Sequence, residues 1–145
     1  MSESEVVGRF PLPLAQSFLA CREIYHDPRV GVILVGPIFH VPLTQFPAHV
    51  RLSIFAEFTG GHGTYKPRLC LRDEAGEEVW GWTPSQPPFL HIDPLRFSQV
   101  EFDDLLLAVP RPGRYTLALL LNGDEAAQRR LSFGPLEKVP HKESP

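Results

Sequence analysis

Cysteine is nearly absent: Cys21 and Cys70 are the only two in 145 residues, and neither belongs to a Cys-x-x-Cys pair. A disulfide-dense scaffold is therefore excluded, and free thiols in a cytoplasmic protein are the expectation, with a Cys21–Cys70 disulfide as the alternative. No apolar run approaches the roughly 18–20 residues that span a bilayer. The start, Met1-Ser-Glu-Ser-Glu-Val-Val, is acidic and has no basic segment followed by an apolar core, so no secretory signal is expected. Charge of one sign is lacking as well. At a net −3, no global field recruits nucleic acid or an anionic membrane. No stretch sustains a period of 3.6 residues; the best helical fragment, Gly123 to Arg130, is better explained as part of a hairpin.

Proline is plentiful, 16 residues against 11 glycines. Because proline disrupts helix interiors, that share favours many short strands and loops. Hydrophobic residues at 43% and charged residues at 21% suit a globular domain. Residues 1–14 and 135–145 read as tails around a single β domain over 15–134. The clearest passage is Pro110-Arg-Pro-Gly-Arg-Tyr115, the run Thr116 to Leu121, then Asn122-Gly123 and Ala126 to Phe133. It reads as turn, strand, turn, strand, because Asn-Gly is a strong hairpin signal.

About eight strands are expected in all. The first runs from Ser17 to Tyr25, closed by His26-Asp27-Pro28, and the second from Val30 to Phe39, broken or bent at Gly36-Pro37. In the third, Val50 to Phe58, even-numbered residues face inward, and Phe55 breaks the polarity of the outer face. The fourth, Thr64 to Arg72, turns Leu69 and Leu71 inward and Lys66, Arg68 and Arg72 outward. Asp73 to Gly76 turns into Glu77–Trp82. From Leu95 to Val109 the pattern changes phase, which a bulge or two strands joined at Asp103-Asp104 would explain. In the hairpin, Tyr115, Leu117, Leu119 and Leu121 face the core, while Arg114, Thr116, Ala118 and Leu120 face outward. The fold class is an all-β antiparallel sandwich of seven to eight strands, with less than about a tenth helix.

Four phrases carry a resemblance: Phe18-Leu-Ala-Cys-Arg-Glu23, Val32-Ile-Leu-Val-Gly-Pro-Ile-Phe39 with Phe46-Pro47, Leu69-Cys-Leu-Arg-Asp-Glu-Ala-Gly76, and Pro112-Gly-Arg-Tyr-Thr-Leu117. Over residues 16–134 the chain resembles an uncharacterised family of small bacterial proteins of unknown function. The resemblance implies an immunoglobulin-like or C2-like sandwich and brings no catalytic residues with it.

Chemistry-bearing groups are scattered. The six histidines show no close ligand spacing, the nearest candidate spacing being nine, so turn and surface roles are the ordinary reading. Acidic pairs at Asp73-Glu74, Asp103-Asp104 and Asp124-Glu125 could hold Ca²⁺ if one end of the sandwich gathered them; turn chemistry beside glycine is the favoured reading. The basic stripe Arg51, Lys66, Arg68 and Arg72 could meet phosphate but is expected to be a solvated face. Gly60-Gly61-His62-Gly63-Thr64 lacks the ending of a phosphate loop, and no nucleophile motif occurs. Trp80 and Trp82 share one strand face beside Gly81. Buried, they are core; exposed with Phe89, they would be a binding surface.

These features point to a non-enzymatic module that works by protein–protein contact, including contact with a second copy, without cofactor, nucleic acid or membrane. Its candidate surfaces are Trp80, Trp82 and Phe89, and an apolar strip of Ala118 and Leu120. The alternative is a small-ligand or calcium-binding sandwich that uses the acidic loops or the Trp80/Trp82 face.

Overall fold

A computed structural model of the protein describes residues 12–85, 90–92 and 98–136. Every regular element among them is a strand. They are β1 (Leu14–Asp27), β2 (Gly31–Ile38), β3 (His40–Pro42), β4 (Ala48–Thr59), β5 (Gly63–Tyr65), β6 (Pro67–Arg72), β7 (Glu78–Trp82), β8 (Leu90–Ile92), β9 (Ser98–Val109), β10 (Gly113–Leu121) and β11 (Asp124–Gly134). One sheet has the order β2-β1-β4-β9, the facing sheet β3-β11-β10-β6-β7, and β5 pairs with β8 apart from both. All pairings are antiparallel except β3 with β11. The protein is an antiparallel β-sandwich.

Eleven strands stand among the described residues in place of the expected seven to eight, because one expected run divides and two three-residue strands, β3 and β8, form outside the expected runs. The run Thr64–Arg72 splits at Lys66, ahead of Pro67, into β5 and β6. The run Val30–Phe39 stays one strand as far as Ile38, and the chain then crosses at Phe39 to supply β3 to the other sheet. Pro37 is tolerated because β2 is an edge strand. β1 already starts at Leu14, inside the segment expected to be tail, because Leu14 and Ala15 pair with Thr59 and Phe58.

Period-two alternation builds the core. Leu52, Ile54, Ala56 and Phe58 of β4 meet Leu69 and Leu71 of β6 and Tyr115, Leu117, Leu119 and Leu121 of β10, all buried. β9 keeps Phe102, Leu105 and Leu107 on the inner face by means of the bulge expected at Asp103-Asp104. Two residues there oppose Ser53 alone, Asp104 takes φ 58°, and its amide donates to Ser53 Oγ at 3.1 Å. The Asn122-Gly123 turn has φ 53° and 88°, the left-handed pair that a tight hairpin requires. Tyr115 adds a tyrosine corner: its hydroxyl donates to the Arg111 carbonyl, four residues upstream, at 2.6 Å.

Candidate functional site

The outer face of the β6–β10–β11 layer divides into a closed half and an open half. In the closed half, Cys70, Ala118 and Gln128 share a row, and Arg68, Leu120 and Glu125 share the next. Arg72, from the Thr116 row, reaches diagonally across β10 to Glu125 at 2.8 Å, passing over Ala118. Ala118 consequently has no exposed area and Leu120 is half-buried between Arg68 and Glu125. The expected apolar strip of Ala118 and Leu120 is thus corrected. Both residues point outward as the register requires, but the chain's own ion-paired side chains cover them.

The same side chains explain Gly81. Arg68 forms a two-bond ion pair with Glu78, one bond at 2.9 Å, lying across the face of β7. A Cβ on Gly81 would sit 2.7 Å from Glu78 Oε2 and against the guanidinium. What approaches this bare backbone is the protein's own salt bridge. Together with Arg51 to Asp104 at 2.9 Å, these pairs neutralise three of the four residues expected to form a basic stripe.

The open half lies towards the start of β10. Arg114 opposes Ser132, Thr116 opposes Arg130, and His40 of β3 joins the row of Ser132. Here the outer face is hollowed into a cleft of about 220 Å³ walled by Glu74, Arg114, Thr116 and Arg130. Past Arg114 and Glu74 it continues as a wider hollow of about 540 Å³ that reaches His40 and Ser132. His40 Nδ1 is 2.7 Å from Ser132 Oγ, while Nε2 is buried and has no hydrogen-bond partner among the described residues. The tautomer with its proton on Nδ1 suits this geometry, because it leaves a bare lone pair rather than an N–H unsatisfied. Below, Asp73 is committed: it accepts from the amides of Ala75 and Glu77 and from Arg111 at 2.7 Å. The sequence reading did not assemble this group. Its signal was the hairpin register, which places Arg114 and Arg130 outward with no acidic residue opposite either.

Trp80 and Trp82 turn to the inner face opposite Leu71 and Leu69, half-buried and packed against the core, with Trp82 edge-on to Phe102 at 5.6 Å. They therefore face away from Ala118 and Leu120; Phe89 lies outside the described residues. The acidic loops have separate partners: Asp73 holds Arg111, Asp104 holds Arg51 and Glu125 holds Arg72. Among the described residues no three His, Cys, Asp or Glu gather as a metal site.

A second surface arises from the β1–β2 hairpin. Leu19, Phe55 and Glu101 form one row across β1, β4 and β9. Seven more residues of straight strand would carry His26 roughly 20 Å past that row, yet its Nε2 lies 2.8 Å from Glu101 Oε1. The hairpin therefore folds back over the outer face of its sheet. Within the hairpin Gly36 takes φ 69°, and the Arg22 side chain fills the space a Cβ would need there. This cover accounts for the burial of outward-facing Phe55, Ser53 and Cys21. Ile24, Val32 and Leu34 are half-buried beneath the arm, while Tyr25, Ile33 and Val35 are exposed at 49%, 37% and 39%.

Burial raises the pKa of both thiols; at Cys21, Asp103 and Glu101 raise it further. Cys21 and Cys70 lie on the outer faces of opposite sheets, so the core separates them and they are free. No helix among the described residues is long and apolar enough to cross a membrane. No protein-family model matches the chain, and no curated protein matches it.

Proposed function

We propose that this protein is a non-catalytic β-sandwich module that binds another protein by accepting an extended segment alongside β2. The observation that carries this reading is the run Gly31-Val-Ile-Leu-Val35. It is an edge strand without a single charge, and it presents Ile33 and Val35 to solvent beside Tyr25. Edge strands expose unpaired backbone donors and acceptors, and proteins ordinarily guard them with lysine, proline or a covering element. Here Pro37 guards only the far end, which leaves Gly31–Val35 as a template for strand addition. Main-chain bonds would supply affinity, and alternate apolar side chains would supply selectivity. We read the sandwich as immunoglobulin-like, with support from the tyrosine corner. We place it in the cytoplasm on the strength of its two free thiols.

The test is recovery of the native protein with whatever it holds, beside a Val35→Lys variant. A charge on an edge strand blocks addition without touching the core. The variant should keep its melting temperature and lose the bound protein or the second copy. Retention of the same partner by Val35→Lys, or a wild-type protein that is monomeric and brings down nothing, would sink this reading. A rise in melting temperature on adding calcium would favour the small-ligand alternative instead.

A further inference from the structure

We propose that the cleft over the start of β10 and the end of β11 binds a tetrahedral oxyanion, a phosphate or phosphate monoester. Arg114 and Arg130 are diagonal neighbours on paired strands, where side chains start about 7–8 Å apart and long ones converge. The other arginines of this outer face, Arg68 and Arg72, are held by Glu78 and Glu125. Arg114 and Arg130 make no ion pair among the described residues, although they wall the same hollow. Arginine offers a planar fork of donors that matches phosphate oxygens. Thr116, directly opposite Arg130 and two residues from Arg114, adds a hydroxyl donor to the same wall.

Ser132 supplies the fourth donor. With His40 donating from Nδ1, the Ser132 hydroxyl keeps its own hydrogen for a ligand. Arg114, Thr116 and Arg130 wall the cleft and Ser132 lines the hollow that continues past Arg114, so the four side chains offer more donors than a planar carboxylate can use. Glu74 is the carboxylate on the wall that makes no ion pair among the described residues. Asp73 is neutralised by Arg111. Two positive charges against one leave the cleft cationic within an acidic protein, so anion binding here is local and separate from the β2 edge.

Titrating the full chain with inorganic phosphate at constant ionic strength, followed by nitrogen–proton correlation NMR, tests the assignment, with acetate as a second arm. Saturable shifts are expected at the amides of Arg114, Thr116, Arg130 and Ser132. Either Arg114→Gln or Arg130→Gln should raise the phosphate midpoint by about tenfold, in line with loss of a charge-assisted bond. Arg51→Gln, on the opposite sheet, should leave it unchanged, and none of the three should alter melting in the absence of phosphate. A phosphorylated small molecule should saturate at or below the midpoint of inorganic phosphate if the site takes an ester, and above it if the free ion is the ligand. The proposal is overturned by an absence of saturable shifts, by shifts spread equally over the paired arginines, by acetate saturating at the same midpoint, or by variants that keep the wild-type midpoint.

Discussion

Leu119 is fully buried among Leu69, Leu71 and the inner face of β4, whereas its neighbour Leu120 is half-covered by charged side chains on the other side of the same strand. Truncating Leu119 leaves a cavity that a β-sandwich cannot close, so Leu119→Ala should cost about 2–5 kcal/mol in chemical denaturation. Thr116→Ala, at the cleft, should cost well under that; equal losses would mean that the outer face carries core packing. The two cysteines give a second prediction at this scale. Both thiols are buried and held above the ordinary thiol pKa, first by desolvation. Since the thiolate is the reactive form, the native protein at neutral pH should show almost no thiol to a disulfide reagent. Denaturant should then release two. Rapid native reaction of either cysteine would contradict this burial, and a mass two protons low would contradict the free thiols.

At the scale of elements, the β1–β2 arm is the part whose position depends on few contacts. Its half-buried face of Ile24, Val32 and Leu34 packs outside the main core, and the His26–Glu101 contact ties its tip to β9. Local opening is easiest where few buried apolar contacts must be broken. Glu101→Gln weakens the tie without changing its shape. Hydrogen exchange should therefore accelerate over Glu23–Val35 while β4, β6 and β10 keep their protection. Unchanged exchange in the arm would show that apolar packing alone holds it. The arm also governs the proposed function, because it is this bend that directs Ile33 and Val35 to solvent.

For the molecule as a whole, acid stability carries the signature of the ion pairs that close the outer face. Glu78 is held below the ordinary carboxylate range, chiefly by its hydrogen bonds from Arg68. A carboxylate with a depressed folded pKa binds a proton more readily once unfolded. Its contribution is complete above the ordinary carboxylate range and drains away as pH falls from there through the lower folded value. The Glu78 side chain is 41% exposed, so solvent screening keeps the effect under about 1 kcal/mol. In melting curves, the gap between wild type and Glu78→Gln should be constant near neutrality and shrink on acidification. A gap that widened in acid would reverse the sign of the argument.

Alternation within short segments made much of this sandwich legible from the chain alone. Leu117, Leu119 and Leu121 had to share a face, Asn122-Gly123 had to turn, and the phase change at Asp103-Asp104 had to be a bulge or a junction of two strands, of which the structure shows the bulge. Each follows from strand geometry that acts over a few residues. Which outward residues stay exposed is a different matter, because it depends on side chains that arrive from strands distant in sequence. Ala118 is covered by Arg72 and Glu125, and Gly81 by Arg68 and Glu78. Phe55 lies under an arm that folds back on it. The cleft follows the same rule: Arg114 and Arg130 sit one diagonal apart on a hairpin, but what sets them apart is visible only once Arg68 and Arg72 on the same face have found Glu78 and Glu125. The chain by itself determined the inner faces of the longer strands, because hydrophobic alternation is local. Only the tertiary structure decided the surface, because the pairing of long charged side chains is set by register across strands.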